Sequence, residues 1–308
     1  MNDPGYDFVP LAPDVRRITR AEARWDRRVP GTLAGRIDVT LTAEQPLHVG
    51  SGSKEARPPH VVLRGARIQG RPGIPGSSLK GVLRARYEAI TRSCTSLGPP
   101  TRAPNRSSTG IKHARLALSL PAVLHDGCTE NHACPACALF GRMSLRSRIT
   151  VTDLVCTGDT DFALAAMPAR FGPNLHHVGP ARIDASRTTF EVLGLHGRKF
   201  HRGHGPATDA RQHVETIPPG AELVGQIRLF NVTPAEVGGL LTALGCDPVS
   251  AIKLGGGKAH GFGRARCKLV PHGSTPLDPA QCRTAFVASP DRWADGETRL
   301  IVLHRGDC

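Results

Sequence analysis

The sequence lacks any apolar run approaching the roughly 20 residues that a membrane-spanning helix needs, so no helical membrane anchor is expected. Its first residues, Met1-Asn2-Asp3-Pro4, show none of the basic-then-apolar order of a secretory signal. The expected compartment is the cytoplasm. Acid is also scarce, with 26 Asp and Glu against 40 Lys and Arg, a formal charge of +14. That excess points to a polyanionic partner, and its arginine content favours nucleic acid over lipid, because guanidinium pairs bidentately with phosphate and stacks on bases. A solvated basic surface is the plain alternative. No compact carboxylate pair, Ser-His-Asp arrangement or H-E-x-x-H spacing is present, so the familiar hydrolase constellations are missing. Fourteen histidines keep a metal-free acid-base ribonuclease open, although no pair is singled out by spacing.

Gly73-Ile-Pro-Gly-Ser-Ser-Leu-Lys-Gly81 looks at first like a phosphate loop, but it lacks the G-K-[ST] ending that grips a nucleotide and Mg²⁺. The glycine run Gly255 to Gly263 fails the same test, because Ala259 follows Lys258 and a strand pattern follows the run. Its dense glycines can instead form a backbone nest for an anion, with Lys258, His260 and Arg264 adding charge, or simply a tight hairpin.

What is present in quantity is cysteine. Nine cysteines, an odd number in a chain expected in a reducing compartment, argue against a disulfide framework. Cys134-Pro-Ala-Cys137 is a C-x-x-C turn, with Cys128 six residues earlier and Cys94 at the end of a helix pattern. Four sulfurs suit a closed, structural tetrahedral zinc site, with His132 as the substitute for any one of them. A redox C-x-x-C would need a thioredoxin-like context, and four unliganded thiols are the remaining alternative.

The 308 residues suffice for one large or two small domains. Residues 1–34 mix Pro, Gly and charge and read as an extended arm. Gly35 to Thr42 alternates Ile37, Val39 and Leu41 with polar neighbours, which predicts a strand buried on one face. Residues 50–76 suit a hairpin-bearing loop. Ser77 to Arg92 has helical spacing, with Ser77 or Ser78 as N-cap and Lys80, Arg84 and Glu88 on the polar side. Strands are predicted over Arg148 to Val155, Glu222 to Val232 and Arg264 to Val270, and Thr233-Pro-Ala-Glu236 reads as a capping box opening a helix that Gly245 closes. Thr298 to Leu303 reads as a closing strand. The expected fold is α+β, a ferredoxin-like (RRM-like) βαββαβ palm over residues 35–270. Long insertions fall at about 94–141 and 157–215, and residues 271–308 form a C-terminal extension. Basic clusters at Arg142 to Arg148 and Arg198 to His204, including Lys199 and His201, sit beside Phe140 and Phe200 in a mixture able to bind phosphates and stack bases.

GIPGSSLKGVLR at 73–84, CPACALFG at 134–141 before a strand with Asp153, and KLGGGKAHGFGRAR at 253–266 together resemble the RAMP superfamily of CRISPR-associated proteins. YDFVPL at 6–11 and GRKFH at 197–201 are similar to pieces of one subgroup, so the resemblance covers most of residues 6–270. It implies a zinc-bearing insertion, a thumb-like hairpin, and a place among the backbone subunits of type III effector complexes. Such a subunit holds crRNA and its complementary RNA or DNA target beside other CRISPR subunits or copies of itself. Carried over by motif, the RNA contacts are Ser77, Ser78, Lys80 and Arg84, with Gly255, Gly256, Gly257 and Lys258. Target-cleaving relatives carry an Asp in the loop before IPGSS; here residues 51–62 hold only Glu55 and His60 as ionisable substitutes for it, so no cleavage is expected. An endoribonuclease that processes precursor crRNA, and a single-copy capping subunit, are the alternatives.

Overall fold

The computed structural model describes residues 5–95, 117–118, 128–129, 131–168, 181–183, 190–192, 195–203, 210–246, 250–272 and 277–305. Much of both expected insertions, and His204 at the end of the second basic cluster, lie outside the described residues. The chain forms a mixed α+β fold around an eight-stranded sheet. That sheet is built from β3 (Leu33–Ala43), β6 (Arg67–Ile68), β7 (Arg71–Ile74), β10 (Ile149–Val151), β11 (Leu154–Cys156), β17 (Glu222–Val232), β18 (Ile252–Lys253) and β19 (Arg264–Pro271). Its order is β18-β19-β3-β17-β11-β7-β6, with β10 also on β17. Four successive strand positions, β3, β10/β11, β17 and β19, therefore lie across the sheet as 4-1-3-2, every neighbouring pair antiparallel.

Period-two patterning set this sheet. Ile37, Val39, Leu41 and Ala43 are buried, while Asp38, Thr40 and Thr42 on the opposite face keep partial exposure. Helix α1 (Gly76–Ile90) buries Leu79, Leu83, Tyr87 and Ile90, and α3 (Pro234–Ala243) adds Val237 and Leu240 to the same core. Truncating one such leucine to alanine costs about 2–5 kcal/mol. Helix α3 starts as the sequence predicts: Thr233 Oγ1 accepts from the Glu236 amide at 3.2 Å, and Glu236 accepts back from the Thr233 amide at 2.9 Å. The Glu236 carboxylate is also gripped by the buried Arg148. A short α2 (Pro135–Phe140) packs against α1.

Two expectations change, and the hairpin expected within residues 50–76 is found. The apolar run from Thr298 to Leu303 is helix, part of α5 (Ala294–His304), because Gly296, Glu297, Leu300, Leu303 and His304 bury one helical stripe. Together with α4 (Pro279–Val287) it packs on α1 and α3, and Phe286 and Leu300 join the core. The arm is also built into the fold: β1 (Tyr6–Val9) pairs with β15 (Arg198–His201), and β2 (Ile18–Thr19) pairs with β9 (His132–Ala133). Residues 50–65 are a paired hairpin, β4 (Gly50–Arg57) and β5 (His60–Gly65), in a separate four-stranded sheet with β12 (Ala163–Pro168) and β16 (Ala210–Thr216). A small sheet joins β8 (Ala117–Leu118), β13 (Ala181–Ile183) and β14 (Phe190–Val192). Among the described residues, no helix is long and apolar enough to cross a membrane.

Candidate metal centre and basic face

Cys94, Cys128, Cys134 and Cys137 converge, all buried, with their Sγ atoms within 4.8 Å of one another. Cys94 follows α1, and Cys134 is the N-cap of α2, its sulfur accepting from the Cys137 amide at 3.4 Å. Pro135 at the first helical position fixes that turn. The Cys94 sulfur lies 3.5 Å from Cys134, 3.8 Å from Cys128 and 3.9 Å from Cys137. A zinc–sulfur bond of about 2.3 Å gives tetrahedral edges of about 3.8 Å, so the cage has the right size. His132 stands apart, exposed on β9. A two-cysteine redox turn leaves the arrival of Cys94 and Cys128 without a cause.

The surroundings favour thiolates. Arg17 donates to Cys128 Sγ at 2.9 Å, Arg84 to Cys137 Sγ at 3.4 Å, and the Cys134 amide to Cys128 Sγ at 3.1 Å. Arg198 holds the Cys94 carbonyl at 3.2 Å, and Arg142 holds that of Cys128. Crowding splits the sulfurs: hydrogen bonding with Cys134 and Cys137 holds the Cys128 thiol far below its usual range, while the contact with Cys128 pushes Cys94 far above it. A divalent cation bound there would remove that conflict by accepting four thiolates.

These contacts redirect two residues expected to face RNA. Arg84 also bonds Glu88 at 2.8 Å and the Gly141 carbonyl at 2.6 Å. Arg198 pairs with Glu88 at 2.8 Å. Both arginines therefore turn into the cysteine centre.

The start of α1 differs from expectation too. Its N-cap is Pro75, with no side-chain cap, and Ser77 and Ser78 lie inside the first turn. The capping carboxylate comes from Asp153, at the break between β10 and β11, whose Oδ1 accepts from the Gly76 amide at 2.7 Å. The helix start packs so close to this break that a Cβ on Gly76 would sit 2.3 Å from the Val151 carbonyl oxygen. Lys80 is half-buried, and burial, then Arg84, lowers its pKa.

At the glycine run, Gly255 adopts φ +81° where a Cβ would lie 2.4 Å from the His48 carbonyl oxygen, and the Gly256 amide donates to that same oxygen at 2.8 Å. Gly257 is also left-handed, at φ 70°. Arg264 is spent on Glu44 at 2.7 Å. Lys258 is not; burial lowers its pKa, and its carbonyl accepts from Lys253 Nζ at 3.3 Å. Lys253 is 6 % exposed, its other acceptor is Gln45 at 3.3 Å, and burial with the charges of Arg264 and Lys258 pushes it down to about 8. Lys199 is exposed, its Nζ 3.6 Å from the centre of the Tyr6 ring. His201 is held neutral, lowered to about 4 by burial and then by Lys199, Lys258, Lys253 and His260.

On the β4–β5 hairpin, Glu55 is tied to Arg57 at 2.8 Å and Arg64 at 3.5 Å, and His60 stacks on His213 with ring centres 3.6 Å apart. Arg57 and Arg67 both close on the buried Glu215, which pins the hairpin to β16.

The family model of the RAMP superfamily matches residues 40–266. The chain belongs to the RAMP superfamily. The match runs from β3 to β19, so it takes in α1, the cysteine centre and the glycine run and leaves the arm and the two C-terminal helices outside. A chain of a solved "Type IV-B CRISPR Complex" is similar at 20% identity and a TM-score of 0.35, covering 79% of this chain and 95% of that one. No curated protein matches it. Within this RAMP chain, Arg17, Asp153 and Lys253 carry parts that motif spacing did not assign. Arg17 and Asp153 act on residues more than 70 positions away in sequence, and Lys253 stands out only by burial without an acid partner among the described residues.

Proposed function

We propose that this chain is a crRNA-binding backbone subunit of a type III-like CRISPR effector complex, holding guide and guide-target duplex without cutting the target. Family membership supports it, and the 4-1-3-2 strand order supports reading the central sheet as a ferredoxin-like palm with the β4–β5 hairpin in its thumb. The observation that carries it is a division of labour among the cations. Arg84, Arg198 and Arg264 are consumed by Glu88, the cysteine centre and Glu44. Lys80, Lys199 and Lys258, at the motifs that carry the family resemblance, have no carboxylate partner among the described residues. Unneutralised lysines beside a helix start and a glycine turn suit a phosphate backbone. Asp153 occupies the first amide of α1 and the Ser78 amide donates to the Pro75 carbonyl, so the phosphate there is held chiefly by Lys80, the Ser77 amide and the two serine hydroxyls. The four cysteines hold a structural zinc ion that braces the insertion to α1. Glu55, held by two arginines, is not poised as a base.

The test is an assembled complex incubated with complementary RNA and Mg²⁺. Intact target is expected; evenly spaced cuts that vanish with Glu55→Ala or His60→Ala contradict the non-cleaving reading. The stacked His60–His213 pair favours one second reading, a metal-free endoribonuclease acting on precursor crRNA. Cleavage of a repeat hairpin by the purified chain alone, lost in His60→Ala, decides for it.

A further inference from the structure

The β1–β15 ribbon joins two segments far apart in sequence, and its two faces differ in kind. Cross-strand partners are Tyr6 with His201, Asp7 with Phe200, Phe8 with Lys199 and Val9 with Arg198. Directly opposed residues share a face. One face turns inward: Val9 is fully buried, Phe200 packs edge-on against His304, Asp7 pairs with Arg299 and Arg198 with Glu88. The other face carries Tyr6, Phe8, Lys199 and His201, each at least partly exposed.

On that outer face the rings cluster. Tyr6 and Phe8 meet edge to face at 5.8 Å, Phe8 lies 5.6 Å from the exposed His196, and Tyr6 lies 6.2 Å from His201. The Lys199 ammonium, 3.6 Å from the Tyr6 ring centre, already covers one face of Tyr6, so a further planar group would stack on the opposite Tyr6 face or on Phe8. Immediately beside them stands charge of one sign. Lys199, Lys258, Lys253 and His260 all act on His201, whose Nδ1 is buried without a hydrogen-bond partner among the described residues. Gly203, just past β15, lies directly over the Lys253 ammonium, and only a residue without a side chain fits there with φ +84°. Aromatic rings flanked by unneutralised cations form the chemistry of single-strand RNA binding, base on ring and phosphate on cation.

We infer that the outer face of this ribbon is a nucleotide-binding platform for single-stranded RNA, a base stacking on Tyr6 and Phe8 while the adjoining phosphate lies against Lys199, Lys258 and His260 over the buried Lys253. The inference rests on the RNA-binding role proposed above and adds a subsite that joins Tyr6 and Phe8 of the amino-terminal arm, outside the matched residues, to Lys199, Lys258 and His260 within them. Arg198, although in the same motif as Lys199, faces away and takes no part in it.

The test is fluorescence anisotropy with a labelled single-stranded oligonucleotide over a salt series, using the full chain. Tyr6→Leu/Phe8→Leu is expected to weaken binding about tenfold with the salt dependence unchanged, since stacking is not a phosphate contact. Lys258→Gln is expected to lower the slope of log affinity against log salt by about 0.7. Wild-type binding that Tyr6→Leu/Phe8→Leu leaves unaltered overturns the platform alone; binding that Lys258→Gln also leaves unaltered, or no binding by wild type, overturns the RNA-holding role and the platform with it. Photocrosslinking of wild-type protein to 4-thiouridine RNA avoids any folding defect in the variants. Adducts within residues 6–9 or 196–201 are expected, and adducts confined to other peptides overturn the platform.

Discussion

The cysteine centre and the glycine-run corner carry similar positive charge and use it in opposite ways. Around the cysteines every arginine has a destination: Arg17 and Arg84 on sulfur, Arg142 and Arg198 on backbone carbonyls, and Glu88 between Arg84 and Arg198. At the glycine run, the Lys253 ammonium bonds the Gln45 side chain and the Lys258 carbonyl, neither lysine has an acid partner among the described residues, and both depress His201. Charge that is answered within the chain holds the fold. Charge left unanswered at partial burial is costly unless an anion arrives. The two regions should therefore respond to substitution in different currencies, stability at the first and ligand affinity at the second.

The largest effect is expected from the metal centre. Stripping the metal should remove part of a binding free energy that reaches about 10 kcal/mol in zinc-finger peptides, and Cys134→Ser, which takes one of four ligands, should remove a smaller share. Metal analysis should give one zinc per chain before treatment, and thermal melting should show the loss. A chain that melts unchanged after complete chelation breaks the structural half of the comparison. Next, Arg84→Ala should cost about 1–3 kcal/mol, as expected for hydrogen bonds to charged groups, while leaving RNA affinity close to wild type. Lys80→Ala should do the reverse, keeping the melting temperature and reducing the salt slope by about 0.7.

How far these roles were readable depended on whether the partner was local. Alternation along β3 and β17 and the Thr233–Glu236 box are local signals, and they placed the sheet and α3 correctly. The convergence of Cys94 on the C-x-x-C turn was legible because thiols at that spacing have few uses. Long-range partners were not legible. Ser77 and Ser78 looked like caps because the Asp153 carboxylate that does the work arrives from a strand break 77 positions later. The place of Arg84 at the cysteine centre was not legible because Cys137 and Gly141 reach it only after folding. The run from Thr298 to Leu303 fits strand and helix equally by hydropathy; the buried Glu297, held by Arg283 and Arg292, anchors it as helix.

Two smaller effects sharpen the contrast further. Asp153→Asn should lower stability by about 1 kcal/mol, since a carboxylate leaves a helix start, yet raise RNA affinity by removing negative charge near Lys80. The second is pH dependence. Lys253 is depressed to about 8 in the folded chain. Between that pH and the ordinary lysine range the unfolded chain holds more protons, so Lys253 makes stability rise with pH there. A bound phosphate favours the charged ammonium, so RNA affinity should fall as pH rises through about 8, and Lys253→Met should remove part of that fall. His201, lowered to about 4, makes stability decline as pH drops from its ordinary value toward 4.

The most direct measurement is the nucleic acid carried by the purified chain in its native complex. The account predicts RNA of discrete, uniform length, released by raising salt and lost more readily from Lys80→Ala and Lys258→Gln than from Arg84→Ala. A complex free of RNA, or RNA binding that depends on Arg84 and ignores both lysines, contradicts it.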